Sequence, residues 1–334
     1  MKNTILIILL LAAFSANSQT IYEYERKINQ PGNYNFKEIA FANSDDQITL
    51  SGTLITPNND FSKLIIIVAG SGKDTRYTHP KLAEQLLQNN IAVYRFDERG
   101  IGKSEGKYSY CFGTLKNDLN CCISHLRNIQ ALKNKQIGII GHSLGGIATI
   151  ALSATHPNVD FYVQMGTPVN AGRSFSHRLH KEKIFEKEKR SVKEIRTLID
   201  TFNYVIRTEK KVKAIKKQCN NLSKKLNFST FYAQAYTKPQ FIEMIQLDSE
   251  LLYKNIDKPT LFIIGKNDGA IDVSYAVNRL NEFNNKLMTV KVLDKMDHYL
   301  TYRDSKWNSS KKSADREIDD VAMKAILQWI DEAI

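Results

Sequence analysis

Only 4 cysteines occur in the 334 residues, at Cys111, Cys121, Cys122 and Cys219, too few to build a disulfide scaffold. No Cys-x-x-Cys is paired with histidines, so no metal site is expected. A bridge from Cys111 to Cys121 or Cys122 is compatible with an oxidising compartment. Cys122 also falls on the apolar stripe Leu115, Leu119, Cys122, Ile123, Leu126, however, and buried free thiols are the expectation. Long apolar runs are missing as well. The run Ile5–Phe14 covers ten residues, against the roughly 20 needed to span a bilayer. The Gly-x-x-x-x-Gly-Lys-Ser spacing of a phosphate loop is absent around Ala69-Gly70-Ser71-Gly72-Lys73. Gly100 and Gly102 lack the third glycine and the helix start that a dinucleotide site requires. No cofactor is therefore expected.

What the N-terminus does have is Met1-Lys2, the short apolar run, and Ala16-Asn17-Ser18, a small-x-small cleavage site before Gln19. Residues 1–18 read as a signal peptide, and the absence of a cysteine there argues against lipid attachment. The mature chain is expected to be exported, periplasmic or extracellular. Its roughly 316 residues suffice for one large α/β domain with an insertion.

Along the chain, Lys37–Ala42 and Ile48–Thr56 read as an antiparallel strand pair joined by the Asn43-Ser44-Asp45-Asp46 turn. Leu64–Val68, wholly apolar, reads as a central strand, His79–Asn90 as a helix and Ile91–Phe96 as the next strand. Thr114–Asn128 reads as a crossover helix capped by Thr114, and Val159–Met165, Thr260–Ile264 and Thr289–Leu293 as further strands.

The alternation stops between residues 172 and 240. There Ile195, Leu198, Ile199, Phe202, Val205 and Ile206 recur at helical spacing, and Val212, Ile215, Cys219, Leu222 and Leu226 continue the pattern. The expected division is a core of 19–171 and 241–334 with a helical insertion at 172–240. That insertion holds 18 lysines and arginines against 6 aspartates and glutamates, a balance of +12 that equals the net charge of the whole chain. Such a face is either a solvated surface or one that attracts anionic substrates, lipid head groups or polysaccharide. Nucleic acid is not expected as a partner, since few aromatics lie among the lysines.

Gly-His-Ser-Leu-Gly-Gly at 141–146 lies between the strand-like Gln136–Ile140 and the helix-like Ile147–Ala154. A serine on so tight a bend is lifted out of the sheet, and the helix N-terminus behind it supplies partial positive charge. Ser143 is the expected nucleophile, with the Leu144 amide as one oxyanion donor. Asp268 follows a strand end, and of seven histidines only His298 comes after it, giving the chain order serine, acid, histidine. Asp272 and Asp297 are the rejected acids, the latter too near His298 in sequence to reach its far nitrogen.

Asp97, Arg99, Gly100, Gly102 and Ser104 form an Asp-x-Arg-Gly-x-Gly-x-Ser loop. With Gly70-Ser71-Gly72, the elbow, Asp268 and His298, the chain resembles the α/β-hydrolase superfamily, in its branch of small esterases and serine aminopeptidase-like hydrolases. The resemblance implies an α/β-hydrolase fold, a mostly parallel central sheet flanked by helices, with an α-helical cap inserted after the sixth strand as a lid. It also implies acyl transfer by Ser143, Asp268 and His298. Ala69 stands where relatives have histidine, which leaves Ser71 as the second oxyanion donor. An ester hydrolase is the first expectation, and a peptidase or thioesterase with the same machinery the alternative. A non-catalytic binding protein is disfavoured, because all three residues are intact.

Overall fold

The computed structural model describes residues 25–179, 189–302 and 317–334. The expected leader at 1–18 lies outside the described residues. Among these, eight strands form one sheet: β1 (Tyr34–Asn43), β2 (Ile48–Pro57), β3 (Lys63–Val68), β4 (Ala92–Phe96), β5 (Gln136–His142), β6 (Phe161–Met165), β7 (Thr260–Gly265) and β8 (Met288–Leu293). They lie in the order β1-β2-β4-β3-β5-β6-β7-β8. β1 pairs with β2, and β2 with β4, antiparallel; every later pairing is parallel.

The apolar run of β3 is explained by coverage on both faces. Leu64, Ile66 and Val68 join a cluster with α2 (Phe112–Arg127), α3 (Leu144–Ser153), α9 (Ser249–Asn255) and α10 (Val273–Phe283). Ile65 and Ile67 point the other way, onto α1 (Pro80–Gln88) and α11 (Asp320–Ala333). Both layers hold the parallel strands level, so the loops after β3, β5, β7 and β8 open on one edge of the sheet, where open α/β sheets place their sites.

The helix at 112–127 is capped differently from the expectation. Thr114 lies inside α2, the N-cap is Cys111 without a side-chain bond, and the Thr114 hydroxyl instead donates to Ser109 Oγ. The acceptor comes from far along the chain: the Gly113 N–H donates to Glu243 Oε1 at 3.1 Å. Burial raises the Glu243 carboxyl above its ordinary range, against the pull of the Phe112 and Gly113 amides.

Between β6 and β7 lie α4 (Ala171–Leu179), α5 (Val192–Thr208), α6 (Val212–Lys225), α7 (Thr230–Tyr236), α8 (Pro239–Gln246) and α9. Ser191 and Glu194 close a capping box on α5, whose six-residue apolar stripe is buried throughout. It packs on Ile215 and Cys219 of α6 and on Ile242 and Ile245 of α8, so this apolar cluster runs past residue 240. Val212 and Leu226, the ends of the expected α6 stripe, are exposed. All four cysteines are free, with Cys122 and Cys219 buried. No helix among the described residues is long and apolar enough to cross a membrane.

Candidate active site

β5 ends at His142 and α3 begins at Leu144, so the whole turn is made by Ser143, at φ 52° and ψ −114°. A non-glycine residue rarely holds such angles. Here the Ser143 N–H is fixed on the Met165 carbonyl at 3.0 Å, and the Ser143 carbonyl accepts the first bond of the helix from Ile147 N at 3.1 Å. The glycine two residues on is a steric necessity. A Cβ on Gly145 would stand 2.2 Å from the Ala69 carbonyl oxygen and 2.5 Å from that of Val68, both backbone atoms of the neighbouring strand end.

The loops after β7 and β8 bring the acid and the imidazole to this turn. Asp268 is buried, and its Oδ1 accepts from Ala270 N at 2.8 Å and Ile271 N at 3.0 Å. Its Oδ2 lies 2.8 Å from His298 Nδ1, and His298 Nε2 lies 3.0 Å from Ser143 Oγ. A carboxylate at Nδ1 favours the tautomer protonated there, leaving Nε2 as the acceptor for the serine hydroxyl. Asp272 is elsewhere: it caps α10 through Tyr275 N and pairs with Arg173. Asp297 binds the amides of Tyr299 and Thr301, which shapes the turn that carries His298.

His142 contributes something its place in the chain order does not suggest. Its Nε2–H donates to the His298 carbonyl at 3.1 Å, and its ring lies 5.0 Å from that of His298 and 5.0 Å from that of His79. Burial, with the Arg95 charge adding to it, pushes the His79 imidazole down to about 4, so this ring is neutral.

The Asp-x-Arg-Gly-x-Gly-x-Ser loop is a brace beside the site. Asp97 accepts from Arg76 through both carboxylate oxygens and from the Lys103 amide. Gly102, at φ 58°, permits this, because a Cβ there would overlap Asp97 Oδ2 at 2.0 Å. Arg99 reaches Asp118 and Asp46, tying the loop to α2 and to the β1–β2 turn.

Ser143, Leu144, Ser71 and Gly72 border one cavity of about 450 Å³. Its far wall comes from the helices after β6, with Phe175 and Arg178 from α4 and Phe241 and Met244 from α8. Sequence reasoning did not single out these four. Ser174, Phe175 and Arg178 stand at i, i+1 and i+4, so one side of α4 faces the cavity, but a single turn of helix is too short a signal to find from periodicity. Arg178 is the only charged residue among the described cavity-lining residues. No group of three histidines, cysteines or carboxylates among the described residues is disposed to hold a metal ion.

A mostly parallel sheet with helices on both faces, a serine on a strand-to-helix turn, and an acid and a histidine from later strand ends define an α/β-hydrolase. Residues 60–305 match the model of the family described as serine aminopeptidase, S33, and the chain belongs to that family. Esterase Pf2001 of Pyrococcus furiosus is similar at 17% identity, with 94% of this chain and 97% of that one covered and a TM-score of 0.59. Est1E of Butyrivibrio proteoclasticus, solved with ferulic acid, is similar at 14% identity, 88% and 98% coverage and a TM-score of 0.55. DcsB, solved with a substrate analogue, is similar at 15% identity, 90% and 99% coverage and a TM-score of 0.56. At these identities the three structures speak to the fold. A comparison with curated proteins gives no match. The chain is a hydrolase of the α/β-hydrolase fold.

Proposed function

We propose that this chain is an exported serine hydrolase that cleaves carboxylic esters through an acyl-enzyme on Ser143. The observation that carries the reading is the continuous line Ser143 Oγ, His298, Asp268, at 3.0 and 2.8 Å. As Ser143 Oγ attacks the ester carbonyl, its proton passes to His298 Nε2, and Asp268 stabilises the imidazolium. The Leu144 and Ser71 amides receive the oxyanion, aided by the N-terminus of α3. Collapse expels the alkoxide, which takes the proton from Nε2. His298 then deprotonates water, which attacks the acyl carbonyl, and the acid leaves as Ser143 regains its proton. The helical segment 172–240 serves as the lid over this chemistry.

The family description favours a second reading, an aminopeptidase. Such an enzyme needs a carboxylate to hold the substrate ammonium, and the described cavity wall offers Arg178 instead. A thioester would meet the same machinery. A serine-directed phosphonate should label Ser143, and Ser143→Ala should lose labelling together with four to six orders of magnitude in turnover, roughly. Labelling that persists in the alanine variant would remove the reading. Panels of ester, thioester and aminoacyl-amide substrates separate the chemistries. N-terminal sequencing of exported protein should begin at Gln19.

A further inference from the structure

Seven lysines and no acid lie on α6 and the two residues before it. From Lys210 to Ile242 the chain carries no aspartate or glutamate, and Lys210, Lys211, Lys213, Lys216, Lys217, Lys224 and Lys225 are all exposed. None of the seven makes an ion pair with a described residue. Glu209, the acid nearest in sequence, has one carboxylate oxygen on the amides of Lys210 and Lys211 and the other on Gln218. At about 100° per residue, Lys213, Lys216, Lys217 and Lys224 fall within an arc of roughly 100° along some 16 Å of α6. Ile215 and Cys219, buried against α5, occupy the opposite side.

This arrangement works against the helix that bears it. Lys213 repels Lys216 and Lys217 at i+3 and i+4, and Lys211 and Lys213 oppose the dipole at the N-terminus. A merely solubilising face would intersperse acids. The two ends of the stripe are marked by exposed apolar groups, Val212 at 46% and Leu226 at 37%, and Phe231, 62% exposed, opens the next helix. Lysines flanked by aliphatic and aromatic side chains match a head-group surface bordering acyl chains; a sulfated or carboxylated polysaccharide would reward only the lysines.

We infer that the lysine face of α6 is a peripheral docking surface for an anionic lipid bilayer. The full chain is floated with vesicles of phosphatidylglycerol and phosphatidylcholine, or of phosphatidylcholine alone, at low and high salt. Association should require phosphatidylglycerol and weaken as salt rises. Changing Lys213, Lys216, Lys217 and Lys224 together to Gln should lower the partition coefficient several-hundredfold, from roughly fivefold per lysine. Phe231→Ser should lower it several-fold at unchanged charge. An unshifted thermal midpoint and unchanged hydrolysis of a soluble ester show that the variants are folded. Binding that ignores phosphatidylglycerol, or that survives the four substitutions, overturns the inference. So does dextran sulfate binding as tight as vesicle binding with no effect of Phe231→Ser, which would make the face a receptor for soluble polyanions.

Discussion

Replacing Asp268 by Asn turns one carboxylate oxygen into an NH2 group, and the structure determines which way the amide settles. Asp268 Oδ1 accepts from two backbone amides, at 2.8 and 3.0 Å, so the asparagine must keep its oxygen there. A flipped amide would set N–H against N–H and bury unpaired donors at a cost of about 1–3 kcal/mol. The Nδ2 group therefore faces His298 Nδ1, which must accept rather than donate. The proton moves to Nε2 and points at Ser143 Oγ, and the base has no lone pair for the serine. Turnover should fall about 10⁴-fold, roughly 5.5 kcal/mol in the barrier, with little change in thermal midpoint because both amide bonds survive. Asp272→Asn keeps the cap on Tyr275 N and loses its charge beside Arg173 and His177, neither of which touches Ser143 or His298, so turnover should stay near wild type. Steady-state kinetics on a soluble ester with both variants decide the matter. An Asp268→Asn enzyme within tenfold of wild type, or a larger loss in Asp272→Asn, would refute the argument.

Gly145→Ala should destabilise by at least about 3 kcal/mol, since backbone on the neighbouring strand end blocks the new methyl group, whereas Gly32→Ala, which meets nothing within 4 Å, should stay within about 0.5 kcal/mol; urea titration compares them. His79 is neutral in the fold down to about pH 4 but protonates near 6.5 when unfolded, so its contribution is complete above pH 6.5 and declines as the pH falls toward 4. His79→Asn, which tolerates the residue's φ of 49°, should lose less stability than wild type on acidification, by about 2 kcal/mol at pH 5, and equal losses would count against a buried neutral ring.

The core was readable because the central strands β3, β5 and β7 are short, buried, mostly apolar runs, and because the elbow packs its steric demands into six consecutive residues. Asp268 and His298 could be picked out from the order of strand ends, and the structure brings them to Ser143. What could not be read are the pairings that close over long loops. The partner of Asp97 is Arg76, and the acceptor at the start of α2 comes from residue 243, not from Thr114. The apolar spacing on α6 extends to Val212 and Leu226, yet periodicity reports only a helix face, and whether a neighbour covers its ends is settled by tertiary packing.

The bond from Gly113 to Glu243 means that the helical segment between β6 and β7 is not a detachable module. Exchange or excision that stops at residue 240 leaves the acceptor in place, but without α5 and α6, whose packing on Ile242 and Ile245 helps hold α8 in position. Excision through α8 removes the Glu243 acceptor and leaves the Gly113 amide of α2 unpaired, at the start of a helix that touches the nucleophile helix and the first strand. Chimeras grafted from relatives should therefore tolerate new α5–α7 sequences far better than a moved seam, provided the graft rejoins ahead of α8 and presents an apolar stripe to it. The same bond makes the two halves of the chain dependent on each other in folding: the start of α2 waits for a carboxylate 130 residues downstream.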